Sequence, residues 1–174
     1  MPDRMEQAAV DLHWLATLLT GSREMALELT TRAIDLADDE NAFFSTWMEA
    51  WSRRKFIARV LSAVREELNE SARRTQLRRL EEFPLPTPGW TINQNTTRSK
   101  LEQALVAIDA FPRATVLLLI YERVPLEDTA ILLNAAADLV RKAAAVGTWE
   151  LTVNLAKIQG WKASMNGHQH VSIS

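Results

Sequence analysis

The feature that most limits what this chain can become is its periodicity. Apolar residues recur at i, i+3 or i+4 and i+7 along it, among good helix formers, and no sustained alternating β-branched run interrupts them. A helical period does not fit a pleated strand, so the spacing predicts an all-α protein. With 174 residues, 47% of them hydrophobic and only five glycines, the chain can bury a real core and has room for one domain or two small ones.

The most informative stretch is Leu126 to Val146, LEDTAILLNAAADLVRKAAAV. Leu126, Ala130 and Leu133 fall at i, i+4 and i+7; after Asn134 a second set follows at Leu139, Ala143 and Val146. One helix stops and another starts. Asn134 tolerates the left-handed backbone that a tight turn between helices needs. This is helix-turn-helix spacing, whose second helix can lie across a DNA major groove, although any helical hairpin reads similarly.

Upstream, two helices are expected within residues 1–37. They break at Thr20-Gly21-Ser22, with Leu12, Leu15 and Leu19 on one apolar face and Ala26, Leu29, Ala33 and Leu36 on the next. Asp38 to Asn41 reads as an acidic turn. A third helix begins with Phe44, Trp47, Met48 and Trp51, and its stripe is displaced before Ile57, Val60, Leu61, Val64 and Leu68, so either the helix turns its face or a fourth begins. Between Arg53 and Arg79 stand nine Lys or Arg against three Glu. Such a concentration is the footprint a polyanion would seek, and solvated helix surfaces produce the same count.

Residues 83–99, FPLPTPGWTINQNTTRS, bring three prolines and a polar tract with little to build a core. They read as a linker. The expectation is therefore two small helical domains with separate cores, 1–82 and 100–160, joined by the proline-rich segment 83–99 and followed by a polar tail, 161–174. In the second domain Leu101, Leu105 and Ile108 mark a short helix, Pro112 can open the next through Glu122, and Pro125 can open the first helix of the hairpin. Gly147 reads as a break before a last helix carrying Leu151, Leu155 and Ile158.

In this order the parts resemble a known family. LEQALVAIDAFPRATVLLLIYERVPLEDTAILLNAAADLVRKA is similar to region 4, the promoter-binding domain, of bacterial extracytoplasmic-function sigma factors. LATLLTGSREMALELTTRAI and IARVLSAVREEL resemble helices of the same family's region 2, and the likeness covers about 130 residues. It implies a DNA-binding initiation subunit that joins core RNA polymerase and directs it to a promoter, under an anti-sigma factor. By resemblance Glu28, Thr31, Arg32 and Asp35 would face polymerase. Arg141 and Lys142 of the reading helix would touch promoter DNA, and Arg53, Arg54, Lys55 and Arg59, near Trp47, Trp51 and Phe56, would support single-stranded DNA.

The chain also departs from that pattern. The reading helix carries Asn134, Ala135, Ala136, Asp138, Leu139 and Ala143, leaving Arg141 and Lys142 as its adjacent cations. Alanine neither neutralises phosphate nor hydrogen-bonds a base. A second reading follows: a sigma-like interaction protein that binds polymerase, an anti-sigma factor or another copy of itself without reading promoter sequence.

Other chemistry finds little support. Cysteine is absent, His13 lies in an apolar helix, His168 and His170 lie in the polar tail, and no glycine-rich phosphate loop or helical zinc motif occurs. No enzyme activity, metal or cofactor is expected. The longest aliphatic run, Val116 to Ile120, is too short to span a bilayer, so the expectation is a cytoplasmic protein without a membrane partner.

Overall fold

A computed structural model describes residues 4–39, 46–79 and 96–160. Every regular element among them is helical: α1 (Arg4–Thr20), α2 (Arg23–Asp39), α3 (Thr46–Ala63), α4 (Arg65–Leu77), α5 (Arg98–Val106), α6 (Ala110–Val116), α7 (Leu126–Leu133) and α8 (Ala137–Ile158). No helix among the described residues is long and apolar enough to cross a membrane.

The breaks follow local chemistry. Gly21 takes φ +68° and donates its N–H to the Thr17 carbonyl at 2.8 Å, ending α1 in a left-handed conformation that favours glycine. Ser22 Oγ then accepts from the N–H of Met25 at 3.3 Å, capping α2. Helix α2 runs on through Asp39, into the expected acidic turn. At Val64 the backbone leaves the helical region (φ −110°, ψ 21°), so a separate helix does begin after the displaced stripe. Thr97 caps α5 and Asp109 precedes α6. Pro112 is the third residue of α6, within the first turn, where its missing N–H costs nothing.

After Val116 the helix widens by one residue over Leu117–Tyr121, with the Glu122 N–H donating to the Leu117 carbonyl at 2.9 Å. In an α-helix Tyr121, four residues past Leu117, would return to the face that Leu117 and Leu118 bury. The wider turn leaves it short of that face, exposed, and brings Glu122 inward. The chain leaves this turn through Arg123 at φ 53°.

The core departs from the expectation of two separate ones. Leu15, Leu18 and Leu19 of α1, Ile57, Val60 and Leu61 of α3, Leu68 of α4, Phe111 of α6 and Val140 of α8 belong to one contiguous buried cluster. The cause is α6. All its residues from Ala110 to Val116 are buried, so the helix is covered on every side. Helix α4 packs on it together with α8 and α1. A buried polar contact joins the halves as well: Ser71 Oγ accepts from the Phe111 N–H at 2.8 Å. The proposed linker falls outside the described residues up to position 95; Thr96 and Thr97 lead directly into α5.

Gly147 ends no helix. Helix α8 passes through it unbroken, and a Cβ there would lie 2.7 Å from the Pro112 carbonyl oxygen and 2.6 Å from Val116 Cγ2. The glycine lets α8 approach the α6 backbone closely.

Candidate nucleic-acid and protein interface

The hairpin expected between Leu126 and Val146 forms. Asn134 sits in the left-handed region (φ 52°, ψ 50°) at the end of α7. Ala135 donates its N–H to the Ala130 carbonyl at 3.0 Å and Asn134 to that of Ile131 at 3.1 Å, the paired closure that satisfies a helix's last acceptors. Ala136 is extended and offers no side-chain cap, so the leading N–H groups of α8 receive none.

Val140, Ala143, Val146 and Gly147 bury the inner face of α8, leaving Asp138, Arg141, Ala145 and Thr148 outward. The two cations of the reading helix point to different tasks. Arg141 pairs with its own neighbour Asp138 at 2.7 Å. Lys142 Nζ donates to the Gln76 carbonyl at 2.7 Å, at the C-terminal end of α4, where a helix dipole welcomes positive charge.

The α3 cations meet the same fate in part. Arg53 donates to both oxygens of Glu122, at 2.8 and 2.6 Å, and those hydrogen bonds raise its pKa above the ordinary arginine value against the opposing effect of burial. Arg54 reaches Asp128 at 3.3 Å. Lys55 and Arg59 are exposed on α3. Phe56 is buried in the core, so its ring is not offered for base stacking; the Trp47 and Trp51 side chains lie outside the described residues.

Further along the basic run, Arg65 donates to the Leu132 carbonyl at 3.1 Å, Arg74 binds both oxygens of Asp109 at 2.8 Å, and Arg78 reaches Glu150 at 2.6 Å. These contacts were not expected from the sequence. Two of their partners, Asp109 and Glu150, are acidic residues of the second half. The Arg74 hydrogen bond holds the Asp109 carboxyl below the usual range, with burial opposing.

Arg113 is a further unexpected element. Nearly all of it is buried on α6, where Nη1 donates to the carbonyls of Val106 at 3.1 Å and Ile108 at 2.8 Å, beyond the end of α5. Its Nη2 would lie 3.1 Å from a Cβ at position 21, so the guanidinium also wedges against the α1–α2 turn. Burial pushes its pKa down, while Glu67 and Asp109 oppose. It positions three helices and touches no surface partner.

The expected polymerase face has a different character. Glu28, Thr31, Arg32 and Asp35 are all exposed on α2, with Glu28 and Arg32 paired at 2.5 Å. Ala26 is buried and Leu29 and Ala33 half-buried beneath them, as the apolar stripe required; the Leu36 side chain lies outside the described residues. Leu27 stands 61% exposed on the same helix.

Among the described residues no group of His, Cys, Asp and Glu is placed to hold a metal ion, and His168 and His170 lie outside them. Comparison with protein-family models, with curated proteins and with solved structures finds no match.

Proposed function

We propose that the chain acts as a sigma-like interaction regulator, a helical protein that binds core RNA polymerase, an anti-sigma factor or its own kind without reading promoter DNA. The observation that carries this reading is the occupation of its cations. Arg141, Lys142, Arg53 and Arg54, four of the residues that would neutralise phosphate, are bound to Asp138, the Gln76 carbonyl, Glu122 and Asp128 of the same chain. DNA affinity rests on phosphate neutralisation, and these contacts compete with phosphate for the same cations. The outer face of α2, with Glu28, Thr31, Arg32 and Asp35 free of core duties, is the polymerase-facing candidate.

Co-sedimentation with core polymerase tests this. Charge reversal at Glu28 and Asp35 to lysine should weaken the complex at unchanged helical content. Undiminished binding would remove α2 from the account.

A second reading has its own support. The left-handed turn at Asn134 and the exposed Asp138–Arg141–Ala145 face of α8 support a promoter-reading helix-turn-helix of the extracytoplasmic-function sigma type. On that reading Arg141, Lys142, Arg53, Arg54, Lys55 and Arg59 contact promoter DNA after their internal partners release them.

A further inference from the structure

The widened turn after α6 displays what a folded helical protein ordinarily hides. Ile120 is 57% exposed and Tyr121 is 47% exposed, next to Leu117 and Leu118, which are fully buried. Tyr121 packs edge-on to Trp14 of α1, with ring centroids 5.5 Å apart at 67°. Arg98, the first residue of α5, lies over the Trp14 ring with Cζ 4.4 Å from its centroid. Two residues past Tyr121, exposed Arg123 holds a left-handed backbone that a non-glycine side chain rarely adopts.

The combination is that of an interface centre. Trp, Tyr and Arg are the side chains that carry most binding energy between proteins, and large exposed apolar groups gathered around them are uncommon on a surface that stays wet. A π-helical turn and a strained residue in succession mark a segment shaped for something other than stability.

Charge selects the occupant. Two carboxylates on the adjoining elements are already engaged: Glu122 is bound by Arg53 with its side chain 9% exposed, and Glu102 is bound by Arg23 at 2.8 Å. Asp11 acts on the Arg53 side of α1. Arg98 and Arg123 are both exposed and present positive charge beside Ile120 and Tyr121. Arg98 covers one face of Trp14 and Tyr121 packs against the same side chain, so less of the ring is open for a nucleobase to stack upon. An aliphatic anchor beside carboxylates suits the surface better.

We propose that Trp14, Arg98, Ile120, Tyr121 and Arg123 form a docking surface for an acidic segment of a protein partner that carries an aliphatic anchor. The inference rests on the protein-interaction reading above and gives it a second surface, distinct from α2. Ile120 supplies the apolar contact, Tyr121 frames it on Trp14, and the two arginines hold the flanking carboxylates.

The test uses the full chain and three fluorescein-labelled probes: a glutamate-rich peptide with spaced leucines, the same peptide with lysine for glutamate, and single-stranded oligothymidylate. Fluorescence anisotropy at low and moderate salt should show binding of the acidic peptide alone, weakening as salt rises. Ile120→Ser should weaken it about tenfold, as loss of a central anchor does. Arg123→Gly, which removes a charge while easing the backbone, should weaken it about threefold without loss of fold. Circular dichroism on each variant checks the fold. Absence of acidic-peptide binding, equal binding of the lysine peptide or the oligonucleotide, or indifference to Ile120→Ser in a folded variant would each overturn the proposal. Such a result would leave the interaction reading standing, because polymerase co-sedimentation decides that separately.

Discussion

Arg53 on α3 holds Glu122 at the end of the α6 turn through two parallel hydrogen bonds of 2.8 and 2.6 Å, and the pair spans 69 residues of sequence. The carboxylate is the more enclosed member, and it reaches that position because the widened turn brings it inward. A residue that the basic run and the resemblance mark as a candidate DNA contact therefore serves as a cross-brace of the fold.

Removing one member should expose the dependence. Arg53→Ala leaves Glu122 enclosed without its donor, and the expected loss is about 1–3 kcal/mol, below that of a fully buried pair because Arg53 keeps partial solvent access. Urea denaturation of Arg53→Ala, Glu122→Gln and the double variant would measure it. Singles that cost under about 0.5 kcal/mol, with additive effects, would reduce the pair to surface decoration.

Gly147 gives a prediction of unusual sign. At an exposed helical site, glycine to alanine stabilises by about 1 kcal/mol. Here the added Cβ would meet the Pro112 carbonyl oxygen at 2.7 Å, and backbone cannot step aside cheaply. Gly147→Ala should therefore destabilise by about 1–3 kcal/mol. A rise in Tm would show that α6 and α8 are not packed as described.

The two non-glycine residues with left-handed backbone among the described residues should answer differently from each other. Arg123→Gly should stabilise by about 0.5–1 kcal/mol, because glycine reaches φ 53° without steric cost. Asn134→Gly should be nearly neutral, since asparagine already suits φ 52°. Equal gains at both positions in thermal unfolding would mean that side-chain type is not what sets the cost.

How far the sequence foretold this structure depends on the distance between the partners. The α1–α2 break at Gly21 and the turn at Asn134 were legible because each is decided by one residue's backbone preference and its immediate neighbours. The helical role of Gly147 was not, because its cause, the Pro112 carbonyl, lies on another helix and a lone glycine in a helical pattern reads as punctuation. The single core escaped for the same reason: the Ser71 hydroxyl meets the Phe111 N–H across 40 residues. The run from Ala110 to Leu118 did carry a signal, since seven of its nine residues are apolar and ask for cover from more than one side. The basic run between Arg53 and Arg79 was visible as charge, but not as bracing, because Glu122, Asp109 and Glu150 are remote in sequence.

Asp109 links the fold to pH. Its carboxyl is held below the ordinary range by Arg74, so it adds stability above the unfolded aspartate pKa of about 3.9, and this is lost as pH falls through the folded value. Urea midpoints measured from neutral pH downward should fall more steeply below about pH 4 in the parent than in Asp109→Asn. Identical profiles would show that the Arg74 contact makes no difference in solution.

The most direct measurement concerns Arg141 and Lys142, the adjacent cations of α8. A salt titration of DNA affinity, comparing the parent with Arg141→Ala/Lys142→Ala, reports how many phosphate contacts that helix makes. With Arg141 bound to Asp138 and Lys142 to the Gln76 carbonyl, the account predicts weak binding and the same slope of log affinity against log salt in both proteins. A slope reduced by about 2 in the double variant would mean that both side chains leave their internal partners for phosphate, and would contradict it.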